Sequence, residues 1–219
     1  MVFFDECHET DGDNEWKAWL EQVFDAKQEI IDFASSRRTG NCPLEFDSYL
    51  KGSFNFGLSI QFNDGGPKTL IRFPKPGHTA TTLRDEKVTN EVSFLNYLGQ
   101  NTRIPVTRVT SWGMTEENPQ KLGPYIIMDF VEGTRSTNIM MMANEDPRDD
   151  FVLDPKIYNA KLGIYDQIAD YIIQLSRLNF DAIGAISQAN SSSSKTWTVT
   201  GRPLTYNMNE LATYCRVFD

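Results

Sequence analysis

The chain has 219 residues, a net charge of -9, and 40% apolar and 12% aromatic content, enough to bury a real core as one large domain or two small lobes sharing an interface. The acidic balance excludes generic binding to nucleic acid or to an anionic membrane surface, since no phosphate-neutralising patch stands out, and no apolar run approaches the roughly 20 residues needed to cross a bilayer. Three cysteines (Cys7, Cys42 and Cys215) and two histidines form no set of metal-ligand spacing.

The opening from Met1 to Asp13 has a brief apolar start followed by acidic residues. That is the wrong charge for a secretory or mitochondrial presequence, so a cytoplasmic address is expected. Asp13 is placed to cap a helix whose apolar stripe runs Trp16, Leu20, Val23, Phe24, Ile30, Ile31 and Ala34, ending in the turn at 35–40. From Phe54 the period changes to two. Phe54, Phe56, Leu58, Ile60 and Phe62 point one way, and Ser53, Asn55, Gly57, Ser59 and Gln61 point the other, as in a half-buried strand. Asn63 to Pro67 reads as a turn, and Lys68 to Phe73 as a second, antiparallel strand ended by Pro74 and Pro76.

The next segment, about Leu83 to Gly99, is helical and places Val88, Glu91, Leu95 and Leu98 on one stripe. A carboxylate among apolar neighbours is costly unless a cation or donor meets it. Arg72, on the preceding strand, is the expected partner. Two further strands are predicted at Val106 to Trp112 and Tyr125 to Val131, the latter closed by Gly133. Beyond Gly133 the pattern turns helical, with Asp154 as cap, Pro155 in the first turn, and an apolar face at Leu162, Tyr165, Ile168, Ile172, Leu175 and Leu178. Gln188 to Lys195 reads as a flexible serine-rich loop, and Thr196 to Thr200 as a short strand. Asn190-Ser191-Ser192 matches a glycosylation acceptor by chance.

Taken together, Gly52-Ser53-Phe54-Asn55, Leu70 to Pro74 (LIRFP), Lys87-Val88 with Glu91-Val92, Tyr125 to Gly133 (YIIMDFVEG), Gln174-Leu175-Ser176, Gly201 to Leu204 (GRPL) and Met208 to Leu211 (MNEL) resemble the fungal branch of the aminoglycoside phosphotransferase-like enzymes, which share the protein-kinase fold. The order and spacing of these pieces over most of residues 43–211 carry the resemblance. It implies an α+β fold: a helical extension at 1–40, a kinase-like amino-terminal lobe of antiparallel sheet plus one helix at 41–135, and a linker with the first helices of an incomplete carboxy-terminal lobe at 136–219.

The resemblance also implies a site for a nucleotide, ATP by expectation. Gly52, Ser53, Phe54 and Asn55 would fold their backbone over its phosphates. Arg72 stands where kinases carry the strand lysine that pairs with the helix carboxylate, here Glu91. Met128 would guard the adenine pocket, and the backbone of Asp129 and Val131 would present the base-pairing edge. Phosphoryl transfer in this fold further needs a catalytic-loop aspartate, an asparagine about five residues on, and a magnesium-binding aspartate. Asp154 with Asn159 and Asp85 with Asn90 have the spacing but fall at a helix start and on a helix. No catalytic or metal residue is therefore assigned. The family's catalytic loop follows a segment like Met208 to Leu211, so the chain is expected to stop before it, with magnesium bound only in a complete enzyme.

Two functions follow from these residues. One is the nucleotide-holding portion of an ATP-dependent phosphotransferase acting on an unknown small-molecule acceptor, inactive alone. The other is a non-catalytic kinase-like binding or interaction module. In either case the helix carrying Ile168 and Ile172 lacks packing partners, and self-association through it is expected.

Overall fold

The computed structural model describes residues 6–38, 44–63, 65–77, 79–134, 136, 155–191 and 194–204. Two helices come first, α1 (Glu6–Asp25) and α2 (Lys27–Ser36), followed by strands β1 (Leu44–Lys51), β2 (Asn55–Phe62) and β3 (Thr69–Pro74). Helix α3 (Arg84–Asn101) precedes β4 (Val109–Gly113) and β5 (Tyr125–Asp129), and the chain continues through helix α4 (Pro155–Ser176) to a hairpin of β6 (Ala185–Ser191) and β7 (Ser194–Gly201). The first five strands form one antiparallel sheet in the order β1-β2-β3-β5-β4. The fold is α+β.

Helices cover both faces of this sheet. Phe56, Leu58, Ile60 and Phe62 of β2, Ile71 and Phe73 of β3, and Tyr125 and Ile127 of β5 meet Trp16, Trp19, Val23, Ala26, Ile30, Ile31 and Ala34 of α1 and α2 in one buried cluster. Its centre is aromatic: Trp16 stacks on Trp19 at 5.3 Å between centroids, and both meet Phe56 edge-on at 5.4 and 5.9 Å. Each such pair adds about 0.5–1.5 kcal/mol beyond its buried area. The indole N–H of Trp19 is satisfied by the Leu122 carbonyl at 2.6 Å, so the ring is buried without an orphan donor. On the other face Val88 and Val92 of α3 pack on Ile126, Met128, Leu70 and Val109.

Several expectations are corrected here. The single helix capped at Asp13 is two helices, with Asp13 inside α1 and a break at Ala26, where ψ is 8°. The break is hidden in the pattern because the buried positions Trp16, Trp19, Val23, Ala26 and Ile30 keep spacings of three and four straight across it. Phe24 leaves the stripe and is exposed, its ring 5.0 Å from that of Tyr49. The half-buried strand is buried on both sides, since Gly57 and Ser59 are covered as fully as Phe56 and Leu58. Leu70 lies over Gly57 so closely that a Cβ there would come within 2.7 Å of its Cδ1.

Strand β1 has no counterpart in the sequence reading. Its register with β2 shifts between Phe46 and Ser48, and a bulge of this kind flips the parity of inward residues, so Phe46 and Tyr49 both reach the core while breaking the period of two. The described residues of the serine-rich segment from Gln188 to Lys195 belong to the β6–β7 hairpin, with pairs such as Gln188 to Trp197 and Asn190 to Lys195, and are not a free loop; residues 192–193 lie outside the description. Asp154 and Met208 to Leu211 also lie outside the described residues.

Candidate functional site

The β1–β2 turn is closed by a hydrogen bond from the Gly52 N–H to the Asn55 carbonyl at 2.9 Å, leaving Gly52, Ser53 and Phe54 exposed at its tip. It is tied to the end of β3, because the Lys75 N–H donates to the Phe54 carbonyl at 2.9 Å. The Lys75 side chain then turns the other way. Only 4% exposed, its ammonium lies 4.5 Å from the Trp16 ring centre, and Lys51 approaches the same ring at 6.0 Å. Burial, and next the charge of Lys51, push the Lys75 ammonium below its ordinary value, while Asp13 opposes this.

Two residues into the sheet from the turn, Arg72 projects from the face of β3 that meets α3. There its guanidinium Nη2 donates to Glu91 Oε1 of α3 in an ion pair. The two side chains are 21% and 32% exposed, so each has lost part of its hydration and the pair depends on its geometry. The partner that an inward Glu91 required is thus the residue named from the sequence.

Lys87 completes this group. It stands one turn before Glu91 on α3, with Nζ 3.5 Å from Thr79 Oγ1 and 5.7 Å from the Phe54 ring centre at the turn's tip. Burial is the main influence lowering its proton affinity; Glu91 works against it and Arg72 with it. Two cations and one carboxylate therefore converge beside the β1–β2 turn of a molecule whose net charge is -9.

At the other end of β3, Thr69 pairs with Asp129 of β5. Met128 is buried among Leu70, Val88, Val92 and Val109, so its side chain fills the core between sheet and α3. The Asp129 carboxylate takes two bonds from Arg108, at 3.1 and 3.2 Å, and its carbonyl accepts the Thr107 hydroxyl at 2.6 Å. Among the described side chains Thr107 is its donor, and a carbonyl oxygen has a second lone pair. The Phe130 N–H is taken by the Lys68 carbonyl at 2.9 Å. Val131 follows with its side chain 73% exposed.

Of the rejected Asp-Asn spacings, Asp154 lies outside the described residues and Asn90 lines a groove together with Lys87. Asp85 lies in the first turn of α3 and accepts the Thr115 hydroxyl at 3.2 Å. Asn159 is an exposed residue of α4. Sequence reasoning missed Lys87 and Lys75 as members of the site. The signal for Lys87 was its spacing of four from Glu91, which puts both on one helix face.

No family model, curated protein or solved structure matches this chain. The site combines a glycine turn held to β3, the Arg72 guanidinium fixed by Glu91, the partly buried Lys87 ammonium, and backbone groups at the end of β5. Anions are what such a group attracts, because backbone amides and guanidinium forks both donate to oxyanions. Among the described residues no three His, Cys, Asp or Glu side chains converge as a metal site would require.

Proposed function

We propose that this chain is the nucleotide-holding portion of an ATP-dependent small-molecule phosphotransferase with a protein-kinase-like amino-terminal lobe. The observation that carries the reading is the Arg72–Glu91 pair joining the third strand of the β1-β2-β3-β5-β4 sheet to α3, beside the Gly52–Asn55 turn. A kinase nucleotide site needs this relation between strand cation, helix carboxylate and phosphate-covering turn. Spacing along β3 supports it further. Asn55 pairs with Pro74 and Asp129 with Thr69, so the turn and the end of β5 stand five residues apart along the strand, about 17 Å. That is the scale of an extended nucleoside triphosphate.

In this reading the base lies at the Asp129 carbonyl and Val131, and the phosphates lie under Gly52, Ser53 and Asn55. Arg72 holds a phosphate oxygen while Glu91 orients its fork, and Lys87 adds charge. ATP supplies the phosphoryl group; these residues bind and orient it. Titration calorimetry of the chain with magnesium-ATP, repeated on Arg72→Ala, tests the proposal. Saturable binding that weakens at least about tenfold in the variant is expected, as for loss of a charge-assisted contact. Absence of binding to the folded chain overturns it. The second reading, a non-catalytic module that works through a partner, is favoured by the exposed apolar residues Leu162, Tyr165, Ile168 and Ile172 of α4.

A further inference from the structure

Helix α3 and the β6–β7 hairpin bound a groove of about 530 Å³. One wall is the strip Lys87, Asn90 and Phe94, at spacings of three and four that align on one helix face. The other includes Ile183, Ile186 and Val199, and Ile183 is 90% exposed. Its size is that of a small-molecule site. Among the described residues Lys87 and Asn90 are the polar side chains lining it, and both lie toward the amino-terminal end of the helical wall.

Lys87 has acceptor demand to meet there. An ammonium carries three donors, and among the described residues its hydrogen-bond acceptor is the Thr79 hydroxyl at 3.5 Å, the outer limit of such a bond. Glu91, the nearest carboxylate on the same helix, is held by Arg72. Partial burial of the ammonium sharpens the demand, since an uncompensated charge costs more as water is withdrawn.

We propose that this groove binds a small amphipathic carboxylic acid, with its carboxylate on Lys87 Nζ and Asn90 Nδ2 and its apolar body along Phe94, Ile183, Ile186 and Val199. A monoanion fits better than a dianion. The groove offers one cation, and a second negative charge would be repelled by Glu91, one turn along α3 from Lys87. This site shares Lys87 with the nucleotide reading, but its apolar wall, Phe94, Ile183, Ile186 and Val199, lies outside the residues assigned to the nucleotide.

Calorimetric titration of the full chain with octanoate, 1-octanol and octylammonium tests it. Octanoate binds saturably at one site, 1-octanol binds roughly tenfold or more weakly for want of the ionic contact, and octylammonium does not bind. Lys87→Met removes the octanoate advantage and leaves 1-octanol unchanged. Ile183→Glu, at a position exposed enough to leave the fold intact, abolishes binding of both. Ile183→Glu leaves magnesium-ATP binding as in the wild-type chain, which separates this site from the nucleotide proposal. Thermal melts confirm that each variant is folded. Failure of octanoate to saturate the folded wild-type chain, or undiminished binding by Lys87→Met, overturns the proposal.

Discussion

Glu91 faces apolar neighbours on α3 because Arg72 is there to receive it. Glu91→Ala leaves the guanidinium in a partly desolvated place with no carboxylate, and stability is expected to fall by on the order of 1–3 kcal/mol, toward the lower end because solvent still reaches both side chains. Chemical denaturation measures this, and an unchanged midpoint would show that the pair contributes nothing. Lys75 behaves oppositely. Its ammonium is held below the ordinary 10.5 by burial and by Lys51. Between the folded and unfolded values the unfolded chain holds more protons, so stability rises with pH across that window. In a comparison of melts from neutral to alkaline pH, Lys75→Met is expected to lack this increment, and parallel curves for the two proteins would contradict the assignment. The Arg72–Glu91 partnership was legible because an inward carboxylate demands a cation. Lys75 was not, since a lysine in sequence carries no mark of whether its head is hydrated, and for Lys87 the one signal was its spacing of four from Glu91.

Among the elements, β2, β3, α3, β4 and β5 were legible from periodicity, and the strand boundaries moved by up to three residues. Strand β1 was illegible because the bulge between Phe46 and Ser48 reverses which residues face inward. The kink at Ala26 was illegible because the buried stripe passes through it unbroken. For α4 the expected unpartnered face is present: Leu162, Tyr165, Ile168, Ile172 and Leu175 are all exposed, Ile172 by 60%. The helix meets the α3–β4 connection through a polar residue instead, with Gln174 Oε1 accepting the Arg103 N–H at 2.7 Å. Such an apolar stripe is expected to drive self-association that grows with concentration. Ile168→Glu combined with Ile172→Glu should abolish it while changing stability by less than about 0.5 kcal/mol per site, as for exposed positions. Light scattering decides this, and a monodisperse wild-type monomer at high concentration would contradict it.

Across the whole molecule, one sheet is held between two unlike helical layers. The α1–α2 layer supplies the larger buried cluster, with its stacked tryptophans, and α3 supplies the charged pair that faces the proposed ligand. The first layer also reaches the site, because Trp16 carries Lys75, whose backbone holds the turn at Phe54. No described helix is long and apolar enough to cross a membrane. The turn at Gly52 and the Arg72–Glu91 pair were open to sequence reading. Asp129 and Val131 were named through the resemblance alone, because backbone groups leave no side-chain signature, and the register pairs Asp129 with Thr69. Hydrogen exchange with and without magnesium-ATP therefore tests the central claim most directly. Slowed exchange at the amides of Gly52, Ser53 and Asn55 together with Val131, and none in α4, is the result predicted. Unchanged exchange at both segments under saturating nucleotide would contradict it.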